Sequence, residues 1–347
     1  MRDFLKNMSK ITDNKHASLV EDGIETSDVK SYIDTGVYAL NALLSGSLYG
    51  GIPNNKIMAI AGSSSTGKTL IALCLVKSFL ETHKDSVCVY FDSEAAVTSD
   101  MFRSRGIDTK RVVVIPIATV EEFRNQSFKV LDNYKGMVES DRKPMIMVLD
   151  SIGNLSTTKE ITDVSENKET KDMTKAALTK GVFRVLNLKL ADCGVPLIVN
   201  AHTYSQIGTM YPQQIMGSGE GLRFNASTVL FLTKRKEKED KDVIGNVIHV
   251  KLDKGRFTKE NSMVDLLLRY DSGLSKYYGL LPIAEKYGIF KKVSTRYEMP
   301  DGSKAFEKQI KDDPEKYYTE EVMAKLEEAV GKEFKYGTDL VIETTEE

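Results

Sequence analysis

The sequence predicts an α/β protein built on a mostly parallel sheet covered on both faces, and three features carry that expectation. Short, nearly continuous apolar runs recur as KIMAIAG (56–62), SVCVYFD (86–92), RVVVIPI (111–117), MIMVLD (145–150) and PLIVN (196–200). The segments between them have helical periodicity, and strands buried on both faces lose the apolar–polar alternation of a half-exposed sheet. The third feature is GSSSTGKT (62–69), which satisfies G-x-x-x-x-G-K-[ST] and joins the first strand to the first helix.

The elements follow in order. Residues 1–30 are polar and weakly periodic, and read as an arm or oligomerisation element outside the core. Residues 31–274 hold the core. Its helices are LIALCLVKSFLETH, TVEEFRNQSFKVLDNYKGMV and DMTKAALTKGVFRVLNLKLA, the last with Leu178, Val182, Val185 and Leu186 at helical spacing. After residue 225 the pattern changes to STVLFLTKRK, a charged turn EKEDKD, then NVIHVKL and SMVDLLLRY, which predicts an antiparallel extension of the sheet. Residues 275–347 contain GLLPIAEKYGIF and DPEKYYTEEVMAKLEEAV around a turn-rich MPDGSK, and read as a small, separate carboxyl-terminal α/β domain with an acidic tail.

Composition narrows the function classes. Hydrophobic residues make up 41% and charged residues 28%, as in an ordinary globular protein. The start, MRDFLKNMSK, has no apolar leader core, and no run approaches the roughly 18 apolar residues of a membrane span. The expectation is a cytoplasmic protein with no membrane partner. Cys74, Cys88 and Cys193 are scattered, with no CxxC pair or Cys/His cluster, which suits a reducing compartment and argues against structural zinc. Residues 301–347 carry 14 acids and 7 lysines, a net of −7, so the whole-chain charge of −2 leaves +5 for residues 1–300. A mildly basic body with an acidic tail is compatible with a polyanionic partner.

The glycine-rich stretch predicts the chemistry. Gly62, Ser63, Ser64, Ser65, Thr66 and Gly67 can wrap backbone N–H groups round phosphates at a helix amino terminus, Lys68 adds a positive charge, and Thr69 can ligate Mg²⁺. Phosphoryl transfer also needs a carboxylate for the metal shell and a group to orient water. Asp150 ends an apolar strand in the Walker B manner, and Glu94, just beyond SVCVYFD, is the candidate for activating water. His202 stands where PLIVN gives way to polar sequence; no second ligand lies nearby, which counts against a metal role.

Taken in order, AGSSSTGKT, FDSE, VLDS, VNAHTY and GSGEGLRFNASTV resemble the RecA-type recombinases, and the wording is closest to phage UvsX-like members. The resemblance covers most of residues 30–330 and extends to DTGVYALNALLSGSLYGGI, DMTKAALTKGVFRVL and YYGLLPIAEKYGIF. It implies a RecA-like core, ATP and Mg²⁺ as cofactors, and catalytic roles for Lys68, Glu94 and His202, the last sensing the γ-phosphate. It implies a first DNA loop near 154–171, including Lys159, Lys168 and Lys171, and a second near 204–219. Lys254 and Arg256 match a basic pair that reaches the nucleotide of a neighbouring subunit.

Two departures stand out. The position seven residues beyond Glu94, which in the family presents a tyrosine to adenine, is Met101, with Phe102 adjacent. The first loop carries three lysines against four acids, a poor electrostatic groove. The second loop supplies Tyr204 and Tyr211 as stacking faces, Met210 as a wedge, Gln206 for hydrogen bonding and Arg223 at its exit. The implied function is an ATP-dependent, DNA-stimulated recombinase that forms a helical filament on single-stranded DNA, pairs it with duplex DNA, and works with single-strand-binding and mediator proteins. The alternatives are a RecA-core ring helicase or loader, and a non-hydrolysing filament regulator; Glu94 argues against the latter.

Overall fold

The computed structural model describes residues 2–12, 17–24, 27–166, 174–205, 214–217 and 220–337. Helix α1 (Arg2–Ile11) precedes two short paired strands, β1 (Tyr32–Ile33) and β2 (Ile52–Pro53), which bracket the buried helix α2 (Tyr38–Ser45). The core then alternates through β3 (Ile57–Gly62), α3 (Lys68–Thr82), β4 (Val87–Asp92), α4 (Ser99–Arg103), β5 (Val112–Pro116), α5 (Val120–Gly136), β6 (Met145–Asp150), α6 (Thr158–Ser165), α7 (Lys175–Cys193) and β7 (Leu197–Ser205). A short β8 (Gln214–Met216) and α8 (Glu220–Asn225) lead to β9 (Thr228–Glu239), β10 (Asp242–Gly255), β11 (Met263–Arg269) and β12 (Gly273–Leu274). The carboxyl-terminal elements are α9 (Leu280–Lys286), β13 (Lys291–Val293), β14 (Arg296–Glu298), β15 (Lys304–Phe306), α10 (Glu307–Asp312), α11 (Pro314–Tyr317) and α12 (Glu320–Phe334).

The main sheet runs β12-β11-β10-β9-β3-β7-β6-β4-β5, with β8 added to β7. From β9 to β5 the pairs are parallel, and from β9 to β12 they are antiparallel, as the change of pattern after residue 225 predicts. Alternate residues of each central strand feed two separate cores. Ile60, Val148 and Ile198 pack with α3, whereas Ala59, Leu149 and Val199 pack with Phe123 of α5 and Val182 and Leu186 of α7. That division is why these strands read as unbroken apolar runs.

The structure departs from the sequence reading in several places. Val185 lies on the outer side of α7, 40% exposed, because the apolar face is set by Val182 and Leu186. Most of the charged turn EKEDKD lies in strands, and only Asp240 and Lys241 remain between β9 and β10, with Asp240 at φ 53°. A two-residue hairpin needs such a left-handed residue, and an exposed hairpin tolerates charge on both faces. Half of the expected first loop is helix α6, whose capping box joins Thr157 and Glu160. The separate carboxyl-terminal domain is not separate in its packing. Phe290, Val330 and Phe334 share one apolar cluster with Leu40 and Leu43 of α2 and Leu266 of β11, and the Leu48 N–H donates to Glu327 at 2.7 Å. The amino-terminal arm holds an exposed helix with an apolar stripe of Phe4, Leu5, Met8 and Ile11.

Candidate nucleotide site and its link to the polar loop

The phosphate loop sits at the carboxyl edge of the sheet, where β3 ends at Gly62 and α3 begins at Lys68. Gly67 has φ 100°, a left-handed conformation that lets the chain turn into the helix so that its first N–H groups face the loop. A side chain at Gly62 would meet the Thr66 hydroxyl at 2.6 Å, so the loop can fold tightly only on glycine there. Lys68 is buried, and its Nζ donates to the carbonyls of Gly62 and Ser63, both at 2.9 Å. Burial lowers its pKa, with Asp150 and Glu94 pulling the other way. Thr69 follows, partly buried, at the second position of the helix.

The acids converge on the same edge. β4 and β6 pair in parallel so that Asp92 stands opposite Asp150. Asp150 is 4% exposed and accepts a hydrogen bond from the Tyr90 hydroxyl at 2.8 Å. Glu94 leaves β4 with its backbone N–H on Asp92 Oδ1. Its Oε1 accepts from the Ser151 hydroxyl at 2.6 Å and lies 3.0 Å from His202 Nε2, which donates when that nitrogen carries the proton. Burial raises the Glu94 pKa, but the Ser151 and His202 hydrogen bonds, the His202 charge and the nearby Lys68 outweigh it and leave the pKa below its ordinary value.

His202 is not at a strand end. It lies within β7, on the rung opposite Gly62, and the strand continues through Tyr204 because β8 pairs with it. Its ring packs close to Gly153, where a side chain would stand 3.0 Å from the imidazole Cδ2. Its carbonyl accepts from the Gly217 N–H at 2.7 Å. One residue therefore touches Glu94 through its side chain and the returning end of the polar segment through its backbone.

Other expected site residues are placed as follows. Phe102 is 3% exposed and packs edge-on against Tyr90 at 5.8 Å, so its ring belongs to the core and is closed to a base; this corrects its expected role. Met101 is partly exposed beside it. Arg223 is held by Asp253 at 2.9 Å and lies 3.7 Å from Glu220. Lys254 donates to the carbonyls of Arg223 and Phe224, both at 2.9 Å, and so closes the end of α8. Lys254 and the exposed Arg256 flank Gly255, which pairs with Thr228 next to the amino end of β3. Thr228 stands on the Met58 rung, four residues or roughly 13 Å from Gly62 at about 3.3 Å per residue, so the pair lies toward the opposite edge from the phosphate loop of its own chain. Lys159 and Tyr204 are exposed. Lys168, Lys171, Gln206, Met210 and Tyr211 lie outside the described residues.

Sequence reasoning missed Tyr90 and Ser151. The strand alternation that places Tyr90 on the face of Asp92 was available, as was the position of Ser151 directly after Asp150. Which hydroxyl meets which carboxylate depends on the pairing of β4 with β6. Among the described residues no group of three His, Cys, Asp or Glu could hold a metal, and no helix is long and apolar enough to cross a membrane.

Residues 4–275 match the RecA N-terminal domain family. The chain is 32% identical over 260 residues to the recombination and repair protein of Enterobacteria phage T4, a match covering 75% of this chain and 65% of that protein. The chain thus spans a little under two thirds of that relative's length. It is 28% identical over 263 residues to protein RecA of Rhizobium leguminosarum bv. viciae, covering 75% and 70% of the two chains. It is 27% identical over 330 residues to protein RecA of Nocardia farcinica, covering 94% and 90%.

Proposed function

The chain belongs to the RecA N-terminal domain family, and from that premise we propose that it is an ATP-dependent recombinase that assembles as a helical filament on single-stranded DNA and exchanges strands with a homologous duplex. The observation that carries the reading is the Glu94 carboxylate, one oxygen of which serves both Ser151 and His202 beside the phosphate loop. A carboxylate there is suited to orienting water, and a histidine bonded to it is suited to reporting the γ-phosphate.

ATP is bound by Gly62–Thr69. Lys68 exchanges its two carbonyl partners for phosphate oxygens, a small rearrangement for a side chain already buried in the loop. Thr69 and Asp150 supply hard oxygen donors, the kind that Mg²⁺ takes alongside phosphates and water. When bound, Mg²⁺ neutralises charge on the β- and γ-phosphate oxygens. Glu94 orients the attacking water and accepts its proton through the oxygen not committed to Ser151 and His202. Strand exchange breaks no covalent DNA bond, so hydrolysis serves as a switch: loss of the γ-phosphate returns His202 to Glu94 and relaxes the segment that begins at Tyr204.

Exposed Tyr204 and Lys159 support DNA contact, the one by stacking and the other by charge, with Lys168, Lys171, Gln206, Met210, Tyr211 and Arg223 as further contacts. Self-association is supported by β5, a sheet edge with Val113 59% exposed, and by the apolar stripe of α1. Lys254 and Arg256 serve the nucleotide of a neighbour, a reading supported by their position toward the far edge of their own chain. Met101 leaves adenine held by packing instead of an aromatic stack. A filament on single strands works with single-strand-binding and mediator proteins, in the cytoplasm.

The test is ATP hydrolysis with and without single-stranded DNA, electron microscopy of the assembly, and strand exchange between a circular single strand and a homologous linear duplex. Stimulated hydrolysis, open helical filaments and joint molecules are expected. Closed hexameric rings with no exchange would refute the recombinase in favour of a helicase.

A further inference from the structure

Asn200 plays no part in the site as described, yet its polar side chain is fully enclosed beside it. It is 0% exposed in β7, and neither Oδ1 nor Nδ2 meets a hydrogen-bond partner. A buried amide in that state is costly, and an apolar residue of its size would serve packing better. A polar group in so apolar a strand calls for a polar neighbour.

The strand register supplies one. The β6–β7 ladder pairs Val148 with Ile198 and ends with Leu149 on Val199, so Asp150 and Asn200 are the next residues of the two strands beyond its last rung. On its other side Asn200 pairs with Ile60, two residues before Gly62. Strand alternation puts it on the face of Ile198, Val148 and Ile60, which is the α3 face and also the face of Tyr90. Asp150 is therefore flanked on that face by Tyr90 from β4, bonded at 2.8 Å, and by Asn200 from β7.

We propose that Asn200 is a positioning residue for the Asp150 carboxylate, binding one buried water that it shares with Asp150. The water accepts from Nδ2 and donates to Oδ1 and to the carboxylate, the three bonds that a buried water commonly makes. Asp150 is then steadied from β7 as Tyr90 steadies it from β4. The inference rests on Asp150 as the carboxylate of the magnesium–nucleotide site, where partners that orient a ligand change metal affinity by about 10- to 100-fold.

The experiment is a magnesium titration of fluorescent ADP binding, without DNA, on the full chain, alongside thermal unfolding without nucleotide. Asn200→Leu is expected to unfold at the same temperature or higher, yet to need about tenfold more Mg²⁺ for half-maximal binding. Asn200→Ser, which can hold a water, should restore most of the parental requirement, and Tyr90→Phe should shift it in the same direction as Asn200→Leu. Should the leucine variant not fold, Asn200→Ala is read in the same titration. An unchanged magnesium requirement in the leucine or alanine variant overturns the role of Asn200. Binding by the parent chain that ignores Mg²⁺ overturns the reading of Asp150 and the proposal with it.

Discussion

Replacing Glu94 with glutamine separates charge from shape at the centre of the site. A glutamine with its carbonyl oxygen at the Oε1 position can still accept from Ser151, now at 2.6 Å, and from His202, now at 3.0 Å, with its amide group in the place of the other oxygen. The negative charge and the proton acceptor are lost. Hydrogen bonds to a charged group are worth about twice neutral ones, and two are weakened, but the side chain is 26% exposed and the desolvation that opposes its ionisation is relieved. The net stability change is about 1 kcal/mol or less. A positioned acid–base group contributes about 10²- to 10⁴-fold to rate, or about 3–5 kcal/mol of barrier. The catalytic loss thus exceeds the structural one several-fold.

The assay is phosphate release at saturating ATP and single-stranded DNA, with nucleotide binding and unfolding measured on the same preparations. Turnover of Glu94→Gln should fall at least about 100-fold while ATP and DNA are still bound. The acid limb supplies a second reading. The pKa of Glu94 is lowered in the folded state, so its ionisation stabilises the fold above its unfolded-state value and that contribution is lost as pH falls through the lowered one. The variant should accordingly lose less stability than the parent on acidification below the ordinary glutamate range, with no difference in slope near neutrality. Turnover within an order of magnitude of the parent would refute the assignment of water activation to Glu94.

Two further outcomes follow from the same geometry. His202→Ala removes the ring from Glu94 but leaves the phosphate loop untouched, so ATP should bind with near-parental affinity while no longer raising affinity for single-stranded DNA in a paired titration; full retention of that coupling would count against the sensor role. Because Arg256 lies at the edge of the sheet remote from Gly62, Arg256→Ala and Glu94→Gln chains mixed in equal amounts should regain part of the ATPase that each lacks alone. No gain on mixing would mean that the basic residue does not serve a neighbour.

What could be read from the sequence was local. The strands, the phosphate loop, Asp150 and Glu94 each announce themselves within a few residues, since an apolar run, a glycine turn or an acid at a strand exit needs no distant partner. What escaped depends on pairing. Phe102 looked available to a base until α4 turned it onto Tyr90. The carboxyl-terminal segment looked independent because its composition gives no hint that Phe290 and Phe334 fill the same core as α2. Asn200 reads as one polar letter in LIVNAH, and only the pairing of β7 with β6, which ends one residue earlier, brings it toward Asp150.

His202 shows what the pairing adds. As a letter in the sequence it marked the exit from a strand; in the fold it is still inside the strand, and that difference changes what it can transmit. A residue at a loose strand end could move without consequence for either neighbour. His202 is fixed on one side by its rung with Gly62, the first residue of the phosphate loop, and its carbonyl is fixed by Gly217, on the returning side of the polar segment. On the proposed function its side chain is the part free to choose between Glu94 and a phosphate oxygen. Gly153 packs against one side of the ring, where a side chain would stand 3.0 Å from Cδ2, so on that side the imidazole is confined. On the proposed function, the route from nucleotide to DNA loop is a single residue long, and its stiffness comes from the sheet.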